Sequence, residues 1–110
     1  MLRRVTKLNS ERRKDDSWPF RDPPEVAVFI SKKILSGEEW IYCVTHDADD
    51  GAWQFHPASG FISEDDVSIV SLRTVYQLDP SIESLVDLPL GHMAWRETQR
   101  NSWEIQKNET

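Results

Sequence analysis

The sequence predicts an α+β domain: a mainly antiparallel sheet of about five strands, with two short helices placed before the last hairpin. Three observations carry this. Short apolar and aromatic runs alternate with turn residues through the first half of the chain. The apolar spacing then changes to the helical i, i+3, i+4 pattern between residues 72 and 86. A final pair of aromatic-containing runs flanks the polar turn Gln99-Arg100-Asn101-Ser102. At 110 residues the chain has room for one domain and one modest core.

Residues 1–24 read as a basic, largely flexible arm. They carry seven Lys/Arg against four Asp/Glu, lack apolar periodicity, and end in Trp18-Pro19-Phe20-Arg21-Asp22-Pro23-Pro24, whose three prolines break helix and strand alike. Residues 1 to about 16 are expected to be mobile, with Trp18 and Phe20 tacking the end of the arm onto the body.

The single α+β domain is expected over residues 25–107. Val26 to Ile30 form an almost wholly apolar strand, of the kind buried on both faces. Ser31 to Gly37 allows one helical turn closed by the glycine. Glu38 to Asp47 is the second strand, with Trp40, Tyr42 and Val44 on one face and Ile41, Cys43 and Thr45 on the other. Asp50-Gly51 marks a hairpin into a third strand, Ala52 to His56. Glu64-Asp65-Asp66 is a turn or helix start before a short strand, Val67 to Leu72. Leu72, Val75 and Tyr76 then share one helical face. A second helix follows, with Asp79 as N-cap, Pro80 at its first position, and Ile82, Leu85 and Val86 buried. His92 to Thr98 and Ser102 to Ile105 are the closing strands.

The net charge of −6 is unevenly spread. Residues 25–110 hold six Lys/Arg against fifteen Asp/Glu, a net −9, which repels phosphate backbones and suits a basic protein partner. Nucleic acid is therefore not an expected partner of the folded body. No apolar run is long enough to span a bilayer and no signal-peptide pattern opens the chain, so a cytoplasmic protein without membrane association is expected. The single cysteine, Cys43, excludes an internal disulfide and reads as a buried structural thiol. Five tryptophans supply large apolar area for a small core and are also favoured interface anchors.

The densest cluster of metal-ligand residue types is His46 to His56. As a calcium loop it fails. Counted from Asp47 the glycine stands fifth rather than sixth, counted from His46 the third place is Ala48, and the twelfth place is Ala58 or Pro57 rather than an acid. A zinc or iron site would need His46 and His56 together. A two-residue turn puts Asp49 opposite Ala52 and His46 opposite Phe55. A four-residue loop keeps the same parity, and either way the two imidazoles lie on opposite faces. The even register also unites Trp40, Tyr42, Val44, Trp53 and Phe55 on one face. The stretch is read as a hairpin tip. No Gly-rich phosphate loop or nucleophile elbow is present, His92 has no partner in sequence, and Arg96 reads as an ordinary surface arginine. No catalytic residue, cofactor site or metal site is expected.

The runs Tyr42-Cys43-Val44-Thr45-His46-Asp47, Gly51 with Trp53-Gln54-Phe55, Leu78-Asp79-Pro80-Ser81 and Asp87-Leu88-Pro89 with Gly91 resemble a family of small bacterial proteins of unknown function. Some relatives of that family look like immunity proteins of bacterial toxin systems. The resemblance covers about residues 25–105 and carries no catalytic set. Its implication is an immunity or inhibitor protein acting on a basic toxin or enzyme. Together with the charge, it leads to the expectation of a non-enzymatic, acidic protein-binding module, with Asp47, Asp49, Asp50, Glu64, Asp65, Asp66 and Trp95 as candidate contact residues. If the loop after His56 returns the second acidic run beside the first, the six carboxylates form one patch. The alternative is a small ligand-binding or enzymatic domain using His46 or His56.

Overall fold

The computed structural model describes residues 17–108, one α+β unit built on a six-stranded mixed sheet. In chain order the elements are β1 (Ala27–Ser31), α1 (Lys32–Leu35), β2 (Cys43–His46), β3 (Trp53–His56), β4 (Val67–Ser71), α2 (Leu72–Leu78), the 3₁₀ helix η1 (Pro80–Leu85), β5 (His92–Trp95) and β6 (Glu104–Lys107). The sheet order is β4-β1-β3-β2-β5-β6. Neighbours are antiparallel except β1 and β3, which run parallel with Ile30 beside Phe55.

Two expectations are corrected here. There are six strands rather than about five, and the sheet is mixed. The cause of the parallel pair is the path after β1. The chain skips one place in the sheet to lay down β2, and the β2–β3 hairpin folds back into the gap. That places β3, whose Trp53, Phe55 and His56 are all buried, at the centre.

One face of the sheet meets all the helices. Val28, Ile30, Val44, Phe55 and Ala94 pack against Ile34 of α1, Leu72 and Val75 of α2, and Ile82 and Leu85 of η1, all of them buried. Each fully buried aliphatic side chain of this kind contributes about 1.5–3 kcal/mol. Trp18 and Phe20 join the same core from upstream. Phe20 sits edge-on to Trp53 at 5.7 Å between centroids, and the Trp53 indole N–H donates to the Asp22 carboxylate at 2.9 Å. Residues 17–24 therefore pack onto the body. The expectation of a mobile segment concerns residues 1–16, which lie outside the described residues.

The helices start where short polar side chains can satisfy free amides. Ser31 caps α1 by accepting from the Lys33 N–H, and Ser71 caps α2 by accepting from Thr74. Gly37, at φ 87°, ends the first turn by donating to the Ile34 carbonyl. Asp79 caps the next helix through the Ser81 N–H, with Pro80 at its first position. That element is a six-residue 3₁₀ helix rather than a continuing α-helix. Its exit bonds, Val86 N–H to Glu83 O and Leu88 N–H to Leu85 O, span three residues, as a short connector prefers.

The β2–β3 hairpin has the four-residue loop, not the two-residue turn. His46 pairs with Trp53 and Val44 with Phe55, while Asp47 N–H donates to Ala52 O and Gly51 N–H to Asp47 O. Gly51 takes φ 73°, and a β-carbon added there would meet nothing within 4 Å. The cost of substitution is therefore purely conformational. Gly51→Val is expected to destabilise by about 1–2 kcal/mol. Urea unfolding is the check, and an unchanged midpoint would contradict this account of the loop.

Candidate functional site

The histidines are separated as strand parity requires. His46 lies with Trp53 on the helix-covered face, its ring stacked on the indole at 3.9 Å between centroids and 14° between planes. Its Nδ1–H donates to the Leu88 carbonyl at 2.7 Å. His56 pairs with Cys43 and points to the opposite face. There it is buried by the crossing segment Pro57–Ile62: Phe61 lies over the ring at 4.8 Å, and the Ile62 N–H donates to Nδ1 at 3.2 Å. With Nδ1 accepting, Nε2 carries the proton and donates to Thr45 Oγ1 at 3.1 Å. Burial lowers this imidazole from its ordinary 6.5 to about 4, so it is neutral at physiological pH. Both rings thus have structural partners. His92 donates to the Leu90 carbonyl at 3.2 Å. Among the described residues no three His, Cys, Asp or Glu side chains converge as a metal-binding group.

The aspartates of the hairpin build the loop. Asp47 accepts the Asp49 N–H through its side chain, and Asp50 accepts the Ala52 N–H. The second acidic run does not join them. Asp47 to Asp50 close the end of the sheet where β3 begins. Asp66 precedes β4 at the level of Ser31, beside the end of β3. There the Ser31 hydroxyl donates to its carboxylate. The single six-carboxylate patch is therefore not formed, because β4 runs antiparallel to β1 and β1 parallel to β3.

Both runs nevertheless border the same surface, the sheet face that carries no helix. A broad depression of about 770 Å³ on that face is lined by Thr45, Gln54 and His56, with Asp47 and Asp49 at one end and Lys107 along one side. A second hollow, between Phe29 and Gln54, is edged by Glu64. Between β2, β5 and the crossing segment lies an apolar cleft of about 330 Å³, whose walls are Tyr42, Cys43, Phe61, Met93 and Trp95. Phe61 is 69% exposed. Glu104, paired with Trp95 in register, borders the cleft on the β6 side. Glu39 ties down the crossing segment, its carboxylate accepting from the N–H and hydroxyl of Ser59.

Two expectations about side-chain direction need correction. Regular pairing in β2 starts only at Cys43, and Tyr42 donates its N–H to the same residue, His56, that Cys43 opposes. This slip sends Ile41, 1% exposed, into the core and leaves Tyr42 beside Trp95, 6.5 Å between centroids. Tyr42 thus belongs to the cleft rather than to the core face. Cys43 is buried, and burial pushes its thiol up to about 11, which removes it as a nucleophile.

Arg96 is not a surface residue. It is 1% exposed and holds three elements together. Nε donates to the Ile41 carbonyl at 2.9 Å, one terminal nitrogen to Ser81 Oγ at 2.9 Å and Gln99 O at 3.2 Å, and the other to Asp79 Oδ2 at 2.7 Å. Trp103 covers the guanidinium at 4.0 Å. This network fixes the end of β5, and with it Trp95.

No family model, no curated protein and no solved structure matches this chain.

Proposed function

We propose that the chain is a non-enzymatic, acidic protein-binding module, and that it binds a basic protein segment carrying an apolar anchor on the helix-free face of its sheet. One observation carries this reading: the apolar cleft at Tyr42, Phe61, Met93 and Trp95 opens on a face edged by Asp47, Asp49, Glu64 and Glu104. An apolar pocket on a face bordered mainly by carboxylates combines an anchoring site with steering of the opposite charge. Trp95 is the anchor contact. The hairpin aspartates and the Glu64-Asp65-Asp66 run act as two separate steering groups at opposite ends of the face. The resemblance to proteins with immunity-like relatives makes a basic toxin or enzyme the partner class.

The test uses two peptides, one with several lysines around a central tryptophan and one identical except for glutamate at every lysine. The basic peptide should bind, more weakly as salt rises, and the acidic one should not. Phe61→Ser should weaken binding by about tenfold, the scale of one lost apolar contact. Glu104→Gln should slow association chiefly at low salt. Equal binding of both peptides would sink the reading.

A further inference from the structure

Three depressions adjoin one another. A hollow of about 270 Å³ is walled by Arg21, Asp22, His46, Trp53 and Leu90. His46 and Leu90 also line the 770 Å³ depression of the helix-free face, and Phe61 is shared between that depression and the apolar cleft. Together they make one track, from the segment that precedes β1 to Trp95. Asp22, Asp87, Asp47 and Asp49 border it, and Glu104 flanks its far end. Two cations border it as well: Arg21, already paired with Asp87 at 3.5 Å, and Lys107.

The residues upstream of Ser17 enter beside the near end of this track. Trp18 folds back on it, its indole N–H donating to the Asp22 carbonyl at 2.7 Å. Residues 1–16, outside the described residues, carry six Lys/Arg against three Asp/Glu, the reverse of the body's balance. Met1 to Leu8 hold Arg3, Arg4 and Lys7 with no acid, interleaved with Leu2, Val5 and Leu8. A second basic run, Arg12-Arg13-Lys14, follows. This is a basic segment with apolar anchors, the composition that the cleft and its acidic border select.

The length fits too. Sixteen residues reach about 50 Å when extended, while β2, which the track follows from His46 to Cys43, is only about 10 Å long. Residues 12–14 can therefore lie beside Asp47 and Asp49, with enough chain left to bring residues 2–8 to the cleft.

We propose that residues 1–16 lie along this track as an autoinhibitory strap, with Leu2, Val5 and Leu8 in the apolar cleft, and that an external partner must displace them. The proposal rests on the reading of the helix-free face as a binding surface. A tethered segment acts at a millimolar effective concentration, so even a weak contact competes with a free ligand.

The test places a nitroxide label at Thr6→Cys in the full chain. Cys43 is buried, so the label goes to the new thiol. Paramagnetic loss of ¹⁵N amide signal should be strongest at Phe61, Met93 and Trp95, and should fade at high salt. A variant with Leu2→Ser, Val5→Ser and Leu8→Ser keeps the charge unchanged. In it the cleft signals should return, and the lysine–tryptophan peptide should bind between about twofold and tenfold more tightly than to wild type. Signal loss strongest at residues 17–22 would overturn the strap. So would the same loss in an unlabelled ¹⁵N chain mixed with the spin-labelled one, because the contact would then join two copies. Peptide shifts at the cleft without any effect of the label would overturn the strap and leave the binding reading standing. A cleft that neither label nor peptide affects would mean that the reading beneath it has failed.

Discussion

Arg96→Ala is expected to destabilise the fold by about 3–5 kcal/mol, the scale for breaking a buried ion pair from one side. The loss has three parts. The Asp79 carboxylate, whose side chain is 13% exposed, loses its cation. The carbonyls of Ile41 and Gln99 lose their donors, and Trp103 loses the guanidinium it covers. Set against a typical total of about 5–15 kcal/mol, this is enough to leave a substantial unfolded fraction. Urea unfolding measures it. A loss below about 1 kcal/mol would show that the network is not structural, since exposed ion pairs contribute at that scale. Removing the charge from both partners, in Arg96→Met with Asp79→Asn, should cost less than Arg96→Ala, because no buried carboxylate is then left unpaired.

Acidification should weaken the fold through His56. Its folded value, about 4, lies below the ordinary 6.5, so the unfolded chain binds the proton first. The contribution is fully present above pH 6.5 and disappears as the pH falls toward 4. Integrated over that window it amounts to roughly 3 kcal/mol. The geometry gives the reason: Nδ1 already accepts the Ile62 N–H, so a proton there would face a donor and break the bond that holds the crossing segment over the ring. Unfolding measured at pH 7 and pH 4.5 should show a larger loss for wild type than for His56→Gln, which does not titrate. An equal loss in both would show that His56 is not the group responsible.

Much of the architecture was legible from residue order. The apolar run at Val26–Ile30, the Asp50-Gly51 signal, the one-sided spacing of Leu72 and Val75, and the Asp79-Pro80 cap each act over a few residues, and each marks an element found in the structure. Hairpin parity placed His46 and His56 on opposite faces although the loop is longer than a two-residue turn. What was hidden depends on contacts distant in sequence. The place of β3 between β1 and β2 is a choice of sheet order, which local patterns do not encode. Arg96 looked like any surface arginine because Ile41 and Asp79 reach it from 55 and 17 residues away. The separation of the two acidic runs follows from the direction of β4, again a property of the whole sheet. Tyr42 changed sides through a one-residue slip at the start of β2.

The helix-free face is the proposed working surface of this protein. Titrating the ¹⁵N-labelled chain with the lysine–tryptophan peptide and following the backbone amides tests that claim most directly. The predicted result is a set of shifts centred on Tyr42, Phe61, Met93 and Trp95, extending to the amides near Asp49 and Glu104, with Ile34, Val75 and Leu85 on the helical side unmoved. Shifts centred on α2 and η1 instead would contradict it.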